Sequence, residues 1–174
     1  MSSVRIRLST LRFYTLQGIV AAMRVLFVCL GNICRSPAAE GIFKHLIGKH
    51  AVSGVYADSA GIGSWHVGQL PDSRMRRHGA AHGYLFNSHA RQVTTSDFLN
   101  FDLIVAMDED NARALRRMAG NNTAKIVMMA DYLRNHPGQH DIPDPYYGDD
   151  RDFELVIELL EDACEKLLKD ISTT

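Results

Sequence analysis

Val25-Leu26-Phe27-Val28-Cys29-Leu30-Gly31-Asn32-Ile33-Cys34-Arg35-Ser36-Pro37 is the stretch whose reading decides the fold. Its first four residues are an unbroken apolar run, the pattern of a strand covered on both faces in a parallel sheet. Its end, continued by Ala38-Ala39-Glu40, places Ser36 at an N-cap, Pro37 at the first helical position and an acid in the first turn. Ile42, Phe43, Leu46 and Ile47 then recur at helical spacing. A buried strand that enters a helix through so short a loop predicts a βαβ unit, with the loop at the carboxyl end of the strand where open α/β sheets bind ligands.

Outward from this unit the same alternation continues. Val52 to Ala60 reads as a second strand, Pro71 to His82 as an Arg-rich surface helix, and Asp102 to Met107 as a third buried strand. Asp108 is the N-cap of a helix that runs to about Met118 and stops at Gly120-Asn121-Asn122. Lys125 to Met129 is a fourth strand, and Phe153, Val156, Ile157, Leu160, Cys164, Leu167, Leu168 and Ile171 mark one face of a last helix. The fold class is α/β: a single domain with a four-stranded parallel sheet, helices on both faces and a phosphate-binding loop after the first strand. Asp131 to Asp149, rich in Pro, Gly, His and Asp and without periodicity, is a long loop of the kind that carries function.

Composition narrows the classes. A chain of 174 residues that is 46% hydrophobic and 22% charged is one soluble domain rather than a disordered or fibrous protein. A net charge of −1 supplies no field for a polyanion, so nucleic acid is not expected as a partner, and no apolar run is long enough for a membrane span. Three cysteines, Cys29, Cys34 and Cys164, make neither a disulfide scaffold nor a structural zinc site, and fit free thiols in a reducing, cytoplasmic compartment. His78 and His82 share a helix face without a third ligand, so no metal is expected there. Residues 1–22 carry Arg5, Arg7 and Arg12 and no acid, and read as a leader. A disordered arm and an extension upstream of a natural start at Met23 are favoured over a cleaved targeting segment, leaving 23–174 as the folded domain.

The loop carries the chemistry. Curled around an anion at a helix start, the main chain of Leu30, Gly31, Asn32, Ile33 and Cys34 can aim its amides at phosphate oxygens, and Arg35 can add a planar two-pronged donor. Gly31 and Asn32 tolerate the left-handed backbone that such a curl needs. At the base of this cradle the anionic form of Cys29 shares the positive environment built for phosphate, which makes it a nucleophile. The Ser36 hydroxyl is placed to donate to the sulfur and improve it as a leaving group. A Cys followed six places later by an Arg is common by chance, and the buried strand before and the Ser-Pro helix start after are what lift this one above an ordinary turn.

Val28-Cys29-Leu30-Gly31-Asn32-Ile33-Cys34-Arg35-Ser36-Pro37 resembles the signature of the low-molecular-weight protein tyrosine phosphatases, and Asp144-Pro145-Tyr146-Tyr147-Gly148 resembles their second motif. The likeness continues through Asp58-Ser59-Ala60-Gly61, Trp65, His89-Ala90-Arg91-Gln92 and Met107-Asp108-Glu109-Asp110-Asn111, so it spans Met23 to the last helix. It implies phosphotyrosine proteins or small aryl phosphates as substrates, inorganic phosphate as product, a phosphocysteine intermediate, and no metal or other cofactor. By the same resemblance Asp144 is the general acid and then the base, Trp65 and Tyr146 flank the substrate ring with Tyr147 in support, and Asn32, Ser59 and His89 form a network that holds the loop. Cys34 is a redox partner for Cys29 in this reading, against a plain small core residue, and structural packing competes for Trp65. Asp141, Asp149 and Asp150 read as solvated or capping groups. A monomer or weak homodimer is expected. Two other functions compete: arsenate reduction on the same scaffold, which needs a relay of further cysteines, and a non-catalytic phosphate-binding adaptor, which has no use for Cys29, Arg35 and Asp144 together.

Overall fold

The computed structural model describes residues 22–122 and 125–172, so the expected leader lies outside them except for Ala22. The chain runs β1 Met23–Cys29, α1 Arg35–Lys49, β2 Val55–Gly61, α2 Ser73–Ala81, α3 Asp97–Asn100, β3 Leu103–Ala106, α4 Glu109–Ala119, β4 Lys125–Met128, a 3-10 turn Met129–Tyr132 and α5 Asp150–Ser172. The four strands pair in the order β2-β1-β3-β4, all parallel. Helices cover both faces, as the buried strand run requires. Val25 and Phe27 of β1 and Val105 of β3 pack against α1 and α5, whereas Leu26 and Val28 with Ile104 and Ala106 pack against Ala112 and Leu115 of α4. Phe27 meets Phe43 of α1 edge to face at 5.4 Å, both fully buried.

The strand order locates the site. From β1 the chain steps one way to β2 and later returns to the other side of β1 as β3, so the connections leaving β1 and β3 diverge and open a crevice at their carboxyl ends. The Cys29–Arg35 loop leaves β1 there, and Met107 and Asp108 leave β3 beside it, with Met107 N–H bonded to Val28 O at 3.1 Å.

The last helix matches its sequence pattern: all eight residues of the expected stripe are buried. Three local expectations change. The second strand begins at Val55 rather than Val52, because Ala51 and Gly54 sit at φ 51° and 75° and turn the chain first. α1 begins at Arg35 with Cys34 at its N-cap and no side-chain cap, so Ser36 is not the capping residue and Glu40 is not a first-turn acid; both side chains are committed to the site. The short α3 falls in a stretch that the sequence reading passes over as polar loop, four residues being too few to show a period. Asp108 does cap α4, its Oδ1 accepting from Asn111 N–H at 2.7 Å.

Candidate active site

A cleft of about 230 Å³ lies at the divergence of β1 and β3. Its floor is Cys29, Leu30, Gly31, Ile33, Cys34 and Arg35, and its walls are Trp65, His66, Asp144, Tyr146 and Tyr147. Ten of these eleven residues are expected from the sequence; His66, one place beyond Trp65, is not.

Cys29 ends β1 and is 3% exposed. Its Sγ accepts the main-chain N–H of Asn32 at 3.3 Å and lies 3.1 Å from the Ser36 hydroxyl. The loop achieves this return because Asn32 takes φ 55°, a left-handed conformation that its short polar side chain tolerates. That side chain is also a strut. Asn32 Nδ2 donates to Ser36 Oγ and Ser59 Oγ, each at 2.9 Å, and Oδ1 accepts the N–H of Arg91 at 2.9 Å. Ser59 in turn donates to Glu40 Oε2 at 2.6 Å, and Lys44 pairs with Oε1 at 2.5 Å, which together account for a glutamate only 3% exposed on α1. His89, which the resemblance places in this network, is exposed and stands outside it; the main chain of Arg91, two residues on, fills the role. The loop rests on Gly61, where an added Cβ would lie 3.0 Å from the carbonyl carbon of Gly31 and 3.1 Å from the nitrogen of Asn32.

Arg35 is 2% exposed. Nη1 donates to Asp108 Oδ2 at 2.6 Å and to Ile142 O at 3.2 Å, and Nη2 donates to Asp144 Oδ2 at 2.7 Å. Nε is buried and has no acceptor. Burial alone would weaken the charge on this side chain, but Cys29, Asp144 and Asp108 outweigh it and raise the guanidinium above its ordinary value. Asp108 thus serves twice, capping α4 with one oxygen and fixing Arg35 with the other. The sequence shows only the cap; that a capping carboxylate keeps a second oxygen free is the signal it offered.

Trp65 is 67% exposed, which excludes core packing, and it stands at the cleft mouth with Tyr146, 38% exposed, and Tyr147, 97% exposed. Cys34 lines the floor with Cys29, and burial, then Asp72, Cys29 and Asp144, push its thiol well up. Cys29, Cys34 and Cys164 are all free, and Cys164 is fully buried against Ala39 O. Asp141 and Asp149 accept N–H groups at the starts of α4 and α5, as capping groups do, while Asp150 pairs with Arg77 and His78. His78 and His82 both pair with Glu154 of α5.

A thiol on a strand end, a buried arginine and the carboxylate bonded to that arginine share one cleft with an aromatic mouth in an α/β fold. The family model described as low molecular weight phosphotyrosine protein phosphatase matches residues 24–174, and the chain belongs to that family. It is 48% identical over 149 residues to a putative low molecular weight protein-tyrosine-phosphatase of Synechocystis, covering 84% of this chain and 94% of that one. It is 42% identical over 151 residues to the low molecular weight phosphotyrosine protein phosphatase of Sus scrofa, covering 84% and 94%. Among solved structures, a protein tyrosine phosphatase of Entamoeba histolytica with Hepes in the active site superposes with a TM-score of 0.84 at 46% identity, over 87% of this chain and 98% of that one. The Drosophila arginine phosphatase superposes with a TM-score of 0.80 at 37% identity, over 84% and 96%. The protein is therefore a protein phosphatase, a hydrolase.

Proposed function

We propose that the cleft hydrolyses phosphotyrosine through a phosphocysteine on Cys29, and the observation that carries this reading is the state of Arg35. A guanidinium that is 2% exposed, bound at Nη1 to Asp108 and left with an unpartnered Nε in the cleft that Cys29 also lines, has a place for an oxyanion. On substrate entry Nη2 exchanges the Asp144 carboxylate for a phosphate oxygen and Nε takes a second, while Asp108 keeps the guanidinium in plane. The loop N–H groups from Leu30 to Arg35 receive the remaining charge.

The Cys29 thiolate then attacks phosphorus, the P–O bond to the tyrosine ring breaks, and Asp144, which takes up a proton from solvent on leaving Arg35, passes it to the departing phenolate oxygen. Trp65 and Tyr146 hold the ring. In the second step Asp144 takes a proton from water as it attacks the phosphocysteine; the S–P bond breaks, inorganic phosphate leaves and Ser36 stabilises the returning thiolate. Arsenate reduction finds less support, since Cys164 packs on Ala39 and does not line the cleft.

The test compares wild type, Cys29→Ser and Asp144→Ala on a phosphotyrosine peptide and a phosphoarginine peptide. Wild type should favour phosphotyrosine, Cys29→Ser should be inactive, and Asp144→Ala should lose roughly 10²-fold or more. Equal rates in all three would remove the reading, and a preference for phosphoarginine would move the substrate class.

We further propose that Cys34 protects Cys29 under oxidation, in a monomer or weak homodimer working in the cytoplasm, where thiols stay reduced. Among the described residues no helix is long and apolar enough to cross a membrane. Peroxide converts the Cys29 thiolate to a sulfenic acid; the Cys34 sulfur displaces water to form a disulfide, which an added dithiol reduces. Activity lost to peroxide should return on thiol treatment in wild type and not in Cys34→Ala; equal recovery would overturn the idea.

A further inference from the structure

Four hydrogen-bonding links join the floor of the cleft to its acid loop around the mouth. Asp72 N–H donates to Ile33 O at 2.8 Å, attaching the chain before α2 to the phosphate-binding loop. Asp72 accepts a fork from Arg74, Nε to Oδ1 at 3.1 Å and Nη2 to Oδ2 at 2.9 Å. Arg74 Nη2 also donates to Tyr146 O at 3.0 Å. Tyr146 N–H, at the other side of the same residue, donates to Asp144 Oδ1 at 3.2 Å. The Arg74 guanidinium is packed as well as bonded, lying 4.7 Å from the ring centre of buried Phe153 and 5.6 Å from that of Tyr146.

We infer that Arg74 is a positioning residue that holds the Asp144 loop over the cleft, a role that rests on Asp144 being the general acid. The physical need is specific. The Arg35–Asp144 contact must break when phosphate takes Arg35 Nη2, and Asp144 is then left on a loop with no regular structure of its own. The Arg74 bond to Tyr146 O does not involve the substrate, so it persists through that exchange and keeps the carboxylate at a set height above Cys29. Arginine suits the task where lysine does not: its planar fork satisfies Asp72 and Tyr146 O together while stacking on an aromatic face.

The experiment measures kcat/KM for phenyl phosphate, whose leaving group needs a proton, and for para-nitrophenyl phosphate, which needs one less, in Arg74→Ala and Arg74→Lys, each alone and combined with Asp144→Ala. Arg74→Ala should lose roughly tenfold on phenyl phosphate and threefold or less on para-nitrophenyl phosphate, with Arg74→Lys between it and wild type. In the Asp144→Ala background the same changes should cost less than twofold, since there is no acid left to position. Equal losses on both substrates, or undiminished losses without Asp144, would assign Arg74 a general structural role and overturn the inference. Should Arg74→Ala unfold, Arg74→Lys, which keeps the charge and the stem, decides by the same two comparisons. An Asp144→Ala enzyme as fast as wild type would instead refute the acid assignment itself.

Discussion

Replacing Asn32 by alanine tests whether the phosphate-binding loop is held in place by its own side chains. The substitution removes two donors and one acceptor, all buried, with partners at 2.9 Å on Ser36, Ser59 and Arg91. Each such bond contributes about 1 kcal/mol net, and the Arg91 N–H left without its acceptor adds to the loss. Alanine at φ 55° adds a further cost of about 1 kcal/mol, because it lacks the local polar side-chain bonding that lets asparagine hold the left-handed backbone despite its Cβ. The sum is about 3–5 kcal/mol, which lowers the thermal midpoint by roughly 6–20 °C in a domain of this size. Asn32→Gly separates the two contributions, since glycine keeps the left-handed backbone without strain and loses only the side-chain bonds; it should be about 1 kcal/mol less destabilised. Thermal and urea unfolding give the stabilities, and kcat/KM on para-nitrophenyl phosphate reports the loop, expected to fall at least tenfold in both variants. An alanine variant within 0.5 kcal/mol of wild type on that scale, with unchanged kcat/KM, would refute the strut.

Asp108→Ala should cost about 1 kcal/mol for the lost α4 cap and roughly 10²-fold in kcat/KM, because Arg35 is freed to swing with Asp144; steady-state kinetics against thermal unfolding separates the two effects. Gly61→Ala drives a Cβ to 3.0–3.1 Å from the backbone of Gly31, Asn32 and Gly63, so it should destabilise by about 1–3 kcal/mol and depress activity, whereas Gly48→Ala, in α1 with open space around it, should leave activity unchanged and stabilise by up to about 1 kcal/mol. Asp162, whose side chain is 4% exposed, is opposed by burial, but the N–H groups of Asn135 and Arg134 and the Arg134 charge prevail and hold its carboxyl below its ordinary 3.8. Its contribution is therefore fully present above the unfolded value and lost as pH falls through the lower folded value. Asp162→Asn should cost about 1–3 kcal/mol at neutral pH, and the gap to wild type in urea unfolding should close toward the acid end.

The sequence carries the fold where burial is strongest. The β1 run, the Asp108 cap and the stripe on α5 were readable because each expresses one periodicity or one capping rule that tertiary contacts then reinforce. Ser36 misled for a physical reason: a serine before a proline satisfies the capping pattern, yet its hydroxyl sits 3.1 Å from Cys29 Sγ, and the helix start moves back to Arg35. The cleft floor was likewise readable as a contiguous loop. Its supports were not, since Glu40, Arg91, Asp108 and Arg74 arrive from separate segments, and only the strand register, such as Phe27 beside Ser59, brings them within reach. His89 shows the opposite error, a residue of the right neighbourhood and type, while the bond to Asn32 is made by a main-chain N–H that no side-chain pattern announces.

The most direct test of the account is chemical quench of turnover. Enzyme mixed with a phosphotyrosine peptide labelled in its phosphate, stopped under conditions that preserve S–P bonds and digested, should carry the label on the peptide that contains Cys29, with none on Cys29→Ser. Label absent during turnover, or recovered on Asp144, a histidine or another cysteine, would contradict it.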